Sequence, residues 1–147
     1  MIRPYKSEDK EFLLDIFKLN TPKYFSPDEI DDLVSYLDEN WKTYLTVESE
    51  NQIIGGAGYQ ITDDGAIGRI TWIFFHPDCV GLGMGRNVVE YCFSLLRKVT
   101  SIRKVVVATS QLAYRFFEKF GFQLTRTEKD YWGEELDLYF MEMNLNK

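Results

Sequence analysis

The segment from residue 70 to residue 109 constrains the fold of this chain more than any other. Its last six residues, KVVVAT, form a continuous β-branched run that is typical of a strand buried on both faces. Its first six, ITWIFF, read as another apolar strand, and the region between them carries an amphipathic pattern of helical period. A helix of this kind packs on a sheet, so the segment predicts an α/β domain with a mixed sheet.

The remaining elements alternate in the same way. A first strand at IRPY is followed by an amphipathic helix, and Ser26 with Glu29 forms a capping box at the start of a second helix, where Pro27 takes the first position. A last helix is expected at residues 111–120, ended by Gly121. Further strands are expected at TYLTVES, QIIGGAGYQIT, AIGRITWIFF, FQLTRTEK and LDLYFMEMNL, with DYWGEE as a loop between the last two.

Length and composition limit the classes of function. The 147 residues fit a single domain, 1–147, and a net charge of −6 disfavours nucleic acid as a partner, because neutralising phosphates needs a basic surface. No apolar run is long enough for a membrane span and the N-terminus lacks the apolar core of a signal peptide, so a cytoplasmic protein is expected. Cys79, Cys92 and the single histidine, His76, are not spaced as metal ligands.

Three glycines stand at alternate positions, 81, 83 and 85, directly before the central amphipathic helix. The first amides of a helix lack acceptors and carry a partial positive charge, and glycines let an anion approach them, so the loop is a candidate phosphate site with Arg86 as an added cation. The other reading is a strand-to-helix turn whose glycines only supply unusual backbone angles. The dinucleotide fingerprint and the Walker loop both need further residues that are absent here.

The stretch HPDCVGLGMGR resembles the acyl-CoA signature of the GCN5-related N-acetyltransferase (GNAT) superfamily, and AYRFFEKFGF is similar to a second family motif. The resemblance implies a mixed sheet of six to seven strands with about four helices, splayed between the fourth and fifth strands. It also implies acetyl-CoA as cosubstrate and transfer of an acetyl group to a primary amine of a small molecule or peptide. A homodimer is common in the family, and the apolar LYFMEM near the C-terminus could contribute to one.

By position, the resemblance assigns cofactor contacts to two segments and one serine. The glycine loop would hold the CoA pyrophosphate through its amides, and strand residues 73–75 would pair with the pantetheine arm and polarise the thioester carbonyl with an amide. Ser110 takes the place of a family asparagine and can cap the following helix. The implied residues are Ile73, Phe74, Phe75, Gly81, Leu82, Gly83, Met84, Gly85, Arg86 and Ser110.

Two departures from the family pattern bear on mechanism. Val80 replaces a glutamine or arginine at the first signature position, which is expected to weaken loop or phosphate contacts while leaving the backbone cradle. Phe117 replaces the tyrosine often proposed as general acid. Tyr114 and Tyr131 are the candidates that could stand in, although each could equally be a core-edge or surface tyrosine.

The general base is open as well, because an acceptor amine must lose a proton before it attacks. The two central strands offer no carboxylate, which leaves Glu134, Glu135, Asp137 and Tyr131, each of which could also be a solvated loop residue. His76 occupies the family's turn position before proline, and the acids of the second helix are expected on its solvated face.

Four aromatic residues are candidates for the walls of the acceptor pocket: Tyr24, Phe25, Trp72 and Trp132. The alternative reading of such residues is core packing. From other classes of function, an acyl-CoA-binding module without turnover and a protein-interaction domain that keeps only the fold are the rivals to an acetyltransferase.

Overall fold

The computed structural model describes residues 1–79 and 81–145, and they form one seven-stranded mixed sheet with helices on both faces. The strand order is β1-β2-β3-β4-β5-β7-β6. The fold class expected from the sequence is confirmed. The elements are β1 Ile2–Pro4, α1 Lys10–Leu19, α2 Ile30–Glu39, β2 Tyr44–Ser49, β3 Gln52–Ile61, β4 Ile67–Phe75, α3 Met84–Arg97, β5 Lys104–Thr109, α4 Tyr114–Glu118, β6 Gln123–Gly133 and β7 Leu136–Asn144.

The fourth and fifth strands are the parallel pair of this sheet, and they pair only at their beginnings. Residues 67–70 of β4 face residues 104–107 of β5, whereas the rest of each strand has no partner on that side. The expected splay between the fourth and fifth strands is therefore present. β7 lies between β5 and β6, so the apolar LYFMEM segment sits inside the sheet.

Two apolar clusters hold the helices to the sheet. One lies between the sheet and α1 and α2, with Phe17, Leu33 and Tyr44 fully buried in it. The other lies between the sheet and α3 and α4, with Val88 and Met141 among its fully buried members. Burial of this apolar area is the main favourable contribution to folding. The capping box at the start of the second helix forms as expected: the Glu29 carboxylate accepts from the Ser26 amide at 2.8 Å.

The first four residues of the expected loop DYWGEE extend β6 to Gly133, and only Glu134 and Glu135 form a turn. Hydrogen bonds from neighbouring strands keep it extended: the Asp130 amide donates to the Asp137 carboxylate at 2.9 Å, and the Trp132 indole donates to the Thr109 carbonyl at 3.0 Å. The register shifts between Glu128 and Gly133, so the strand is bulged there. Turn-forming Asp and Gly in the sequence reflect the bulge and not a loop.

The last helix is shorter than expected and begins at Tyr114 instead of residue 111. The Gln111 side chain faces the β6–β7 hairpin, donating to the Glu135 carbonyl at 2.7 Å and accepting from the Asp137 amide at 2.9 Å. These two hydrogen bonds hold Gln111 against the hairpin, and residues 111–113 form a turn instead of the first turn of the helix. The helix also ends earlier than expected, at Glu118, and Gly121, with φ of +101°, lies in the turn that follows, where its amide donates to the Glu118 carbonyl.

A buried carboxylate joins the N-terminal strand to the sheet. Asp9, 3% exposed, accepts from the Arg3 guanidinium at 2.8 and 2.9 Å, from the Lys6 amide at 2.9 Å and from the Thr46 hydroxyl at 3.0 Å. Burial alone would raise the pKa of Asp9, but these hydrogen bonds outweigh it and lower the pKa below its ordinary value. The ionised carboxylate therefore stabilises the fold above about pH 4, and this contribution is lost as the pH falls through the folded-state pKa.

Replacing Asp9 with Asn should lower the free energy of unfolding by about 2 kcal/mol at pH 7, because hydrogen bonds to a buried charge are lost. The variant should also lose less stability than the unmodified protein between pH 5 and pH 3, measured by urea unfolding. Asp38→Asn is the matched control, since Asp38 pairs with Lys10 on the surface. Equal effects of the two substitutions would contradict this role of Asp9.

Candidate active site

The site begins with a bulge in β4. Gly56 of β3 faces Phe74 and Gly58 faces Thr71, so two residues of β4, Trp72 and Ile73, lie opposite one residue of β3. Trp72 has φ of +49°, which is rare for a bulky side chain and marks backbone strain. The bulge therefore interrupts the regular ladder at the point where β4 has already parted from β5.

The bulge changes which face of the sheet each side chain meets. Ile70 and Ile73, three residues apart, both pack towards α3, whereas regular alternation would put them on opposite faces. Trp72 and Phe74 pack towards α1 and α2. The expected cofactor-binding segment, residues 73–75, therefore lies on the part of β4 that has no strand on its β5 side.

The glycine loop opens α3 with exposed backbone. Gly81 and Gly83 have φ of +89° and +82°, and a Cβ atom on either would meet no atom within 4 Å. Gly83 is the N-cap residue, no side chain caps the helix, and the first helical bond runs from the Asn87 amide to the Gly83 carbonyl. The preceding amides, those of residues 84–86, have no acceptor within the helix. These are the features of an anion site, and Leu82 beside them is exposed.

The third glycine, Gly85, is required by the packing of two helices and not by the backbone of the loop. A Cβ atom on Gly85 would lie 3.1 Å from the ring of Phe116 on α4. Gly85 therefore allows α3 and α4 to pack closely. Arg86, expected as a cation for the loop, is exposed and forms an ion pair with Glu90 one turn along the helix, at 3.0 Å. Val80 lies outside the described residues.

The position of the family tyrosine is apolar and buried. Phe117 is 2% exposed and packs edge-on against Phe116 and Phe122. Tyr114, one turn earlier on α4, packs against Tyr139 with the ring centroids 4.8 Å apart and the ring planes tilted by 47°.

Ser110 directly follows β5 and is 5% exposed. Its hydroxyl accepts from the Leu112 amide at 3.3 Å, and its carbonyl accepts from Ala113 and Tyr114. Ser110 thus stabilises the turn before α4 and does not cap the helix itself, whose N-cap residue is Ala113.

The expected pocket walls approach one another from two loops. A Cβ atom on Gly133 would lie 3.3 Å from Ser26, so the β6–β7 hairpin touches the α1–α2 loop. Phe25 of that loop stacks on Trp72, with the rings nearly parallel and 6.4 Å apart. On the hairpin, Tyr131 is half exposed and packs edge-on against Trp132, whose indole reaches the end of β5. Tyr24 is half-buried in the α1–α2 loop, and the Lys23 ammonium lies over its ring.

The candidate bases differ in their surroundings. Asp137 is held by the Asp130 amide, and Glu135 is fixed in the turn by its backbone. Glu134 is exposed at the tip of the hairpin and forms no ion pair with the described residues. The Glu135 carboxylate is likewise exposed and without an ion pair among the described residues, so of the three carboxylates only that of Asp137 accepts a hydrogen bond there.

Two buried polar residues contact β4 that the sequence analysis did not identify. The side-chain amide of Asn20 donates to the Phe75 carbonyl and to the Ile16 carbonyl, both at 2.9 Å. The Tyr44 hydroxyl donates to the Trp72 carbonyl at 2.8 Å. Asn20 reads as a helix end and Tyr44 as a strand residue in the sequence, and neither pattern gives a signal for a contact with a distant strand.

Within residues 1–79 and 81–145, no helix combines the length and apolarity that crossing a membrane requires. The same residues contain no group of three or more His, Cys, Asp or Glu side chains arranged to hold a metal ion.

The splayed parallel pair, the bulge and the open helix start are the features that the GNAT resemblance implied for the fold. The family model for the GNAT acetyltransferases matches residues 11–122, and the chain belongs to this family. A search of curated proteins finds no significant sequence match.

Solved structures agree with this assignment at the level of the fold. Ard1 from Thermoplasma volcanium superposes with a TM-score of 0.84 at 17% identity, over 100% of this chain and 98% of its own. The ribosomal-protein-S18-alanine N-acetyltransferase from Escherichia coli gives 0.81 at 16% identity, over 100% and 94%. An aminoglycoside 6'-N-acetyltransferase complexed with coenzyme A gives 0.79 at 11% identity, over 100% and 98%.

Substitution of Gly83 tests the anion site. Gly83→Ala and Gly83→Asp strain the same positive φ, but only Asp brings a negative charge to the free amides. Calorimetry with coenzyme A should show at least about tenfold weaker binding for Asp than for Ala, because the carboxylate repels the pyrophosphate and competes for its donors. Equal affinities of the two variants would mean that the loop does not bind the phosphates.

Proposed function

We propose that this protein is an N-acetyltransferase that transfers the acetyl group of acetyl-CoA to a primary amine of a small molecule or peptide. One observation carries the proposal: the edge of β4 without a strand partner, at residues 73–75, is followed after eight residues, 76–83, by the open N-terminus of α3 at Met84. An extended ligand with a pyrophosphate at one end and an amide-rich arm at the other fits this pair of features.

The residues present fit acetyl-CoA in both chemistry and space. The open side of Gly81 and Gly83 leaves room for phosphates at the free amides of α3, and the edge of β4 supplies backbone partners for the pantetheine arm. Acetyl-CoA supplies an acyl group on a thioester, so the amine nitrogen gains a bond to the acetyl carbon while the carbon–sulfur bond breaks and the thiol leaves. The amide of Ile73 is proposed to donate to the acetyl oxygen.

The acceptor is proposed to enter from the face of the sheet that carries α1 and α2. Tyr24 and Phe25 on one loop, Trp72 on the bulge and Trp132 on the hairpin supply aromatic walls that would exclude water and orient an amine. Glu134 at the hairpin tip is proposed as the group that receives the proton of the amine, directly or through water. Tyr131, half exposed beside Trp132, is the second candidate for that proton.

Turnover is tested by incubating the protein with acetyl-CoA and a panel of primary amines while following free thiol. At limiting amine the initial rate should rise about tenfold per pH unit between pH 6.5 and 8.5, because only the neutral form of an amine with a pKa of about 10.4 attacks. Thiol release that no amine accelerates would refute the proposed reaction.

The buried Phe117 favours a second candidate function, an acyl-CoA-binding module without turnover. Calorimetry separates the two candidates. Binding of coenzyme A without acceleration by any amine supports the module, whereas absence of binding argues against both.

Tyr114 is proposed to donate the proton that the leaving thiolate takes up. It shares a face of α4 with Phe117, three residues on, and its ring lies over Tyr139, which faces Thr109 at the end of β5. Tyr114 is thus the first residue of α4, close in sequence to the end of β5, and it packs on the same side of the sheet as α3.

Tyr114→Phe should lower kcat about tenfold at pH 7, and the deficit should shrink above pH 8.5, where by analogy with cysteine a thiolate leaves without an acid. Tyr139→Phe is the control, because it removes a hydroxyl from the ring that Tyr114 packs against and leaves Tyr114 unchanged. A constant deficit across this pH range, or an equal loss in the control, would contradict the assignment.

A further inference from the structure

The side chain of a buried tyrosine, Tyr44, forms a hydrogen bond with the backbone of the β4 bulge on the face of the sheet that carries α1 and α2. Tyr44 begins β2, has no exposed surface, and donates its hydroxyl proton to the Trp72 carbonyl at 2.8 Å. This bond lies two strands away from β2, because the side chain crosses over β3 to reach β4. A buried carbonyl in an irregular strand needs such a partner, since the regular ladder no longer supplies one.

The carbonyl that Tyr44 holds belongs to the peptide unit between Trp72 and Ile73. That peptide is trans, and the carbonyl and amide of a trans peptide point in opposite directions. Fixing the Trp72 carbonyl towards Tyr44 therefore fixes the Ile73 amide away from Tyr44. This is the amide that the proposed reaction uses to polarise the acetyl oxygen.

The ring of Tyr44 packs directly on the backbone of two glycines of β3. A Cβ atom on Gly56 would come within 2.6 Å of the ring and 2.7 Å of its hydroxyl oxygen, and one on Gly58 within 3.1 Å of the ring. The two glycines thus form a slot on β3 for the side chain. Tyr5 closes the slot from the side, edge-on to Tyr44 with the centroids 5.9 Å apart. A donor held in this way costs little reorganisation when the site acts.

Tyr44 remains a donor over the whole working pH range. Burial raises its pKa well above the ordinary value, and neighbouring Tyr36, Cys92 and Tyr5 add to the same effect. The hydroxyl proton is thus always present for the Trp72 carbonyl.

We propose that Tyr44 is a positioning residue, which sets the direction of the Ile73 amide by holding the other end of the same peptide unit. The proposal rests on the proposed function for its effect on rate, but the orientation of the peptide is independent of any activity. Tyr44 itself touches no substrate.

The orientation is tested on the protein alone by Tyr44→Phe, which keeps the ring in its slot and removes only the hydroxyl. In ¹H–¹⁵N spectra the Ile73 amide should shift more than any other amide of β4, because its peptide carbonyl has lost a hydrogen bond. Tyr5→Phe is the matched control: it deletes a hydroxyl from the ring that contacts Tyr44, and that hydroxyl bonds to none of the described residues of β4. An unmoved Ile73 amide in folded Tyr44→Phe overturns the proposal.

A second measurement does not depend on the variant folding. In the unmodified protein the Tyr44 hydroxyl proton should exchange slowly enough to be seen by NMR, since the group is buried and bonded. Rapid exchange of that proton overturns the proposal.

The effect on rate follows once turnover is measured. Tyr44→Phe should lower kcat about tenfold with a less than twofold change in KM for acetyl-CoA, and Tyr5→Phe should change neither. A loss of thermal stability with unchanged kcat shows a merely structural role and overturns the proposal. If the unmodified protein transfers no acetyl group, the proposed function fails, while the NMR result still decides the orientation of the peptide.

Discussion

The structure depends on a parallel strand pair that stops early. β4 and β5 pair over residues 67–70 and 104–107, and both strands then continue without each other. Backbone groups that a sheet would pair are left open at this point, which is unfavourable unless something else bonds to them. The protein therefore has to hold the two strand ends apart and still satisfy most of their polar groups.

Three buried or half-buried side chains do this at the carbonyls of the diverging strands. Tyr44 donates to Trp72, Asn20 donates to Phe75, and Trp132 donates to Thr109. Each comes from a different part of the chain: β2, the end of α1, and the tip of β6. Together these hydrogen bonds hold the diverging ends of β4 and β5 to β2, α1 and β6. Bringing the two strand ends together would therefore break hydrogen bonds to three separate elements.

Much of this fold could be predicted from the sequence, because its signals are local. The β-branched run at 104–109 and the capping box at Ser26 each depend on a few neighbouring residues. The extension of β6 and the late start of α4 could not be predicted this way. In both cases a side chain bonds to a distant strand, Trp132 to β5 and Gln111 to the β6–β7 hairpin, and those bonds override the turn signals.

The same division holds for the site. The glycine loop could be predicted because positive φ and free amides are properties of a short segment, although the reason for Gly85 is its contact with Phe116. The bulge at Trp72 could be expected only from the family resemblance, since a bulky residue at positive φ has no local preference for it. The side chains that hold the bulge, Tyr44 and Asn20, gave no signal at all.

This arrangement explains why an acyltransferase of this fold can lack the family tyrosine. Phe117 completes the packing between α4 and the sheet, so its position contributes to the core whether or not it carries a hydroxyl. The groups that the proposed reaction needs most, the amides of β4 and of α3, belong to the backbone and are oriented by the fold. A proton donor contributes less than these groups, because a thiol with a pKa of about 8.5 is a tolerable leaving group near neutral pH, and one turn of α4 brings Tyr114 to the same face. A change of the acid is therefore tolerated more easily than a change of Gly81 or Gly83, whose positive φ strains other residues.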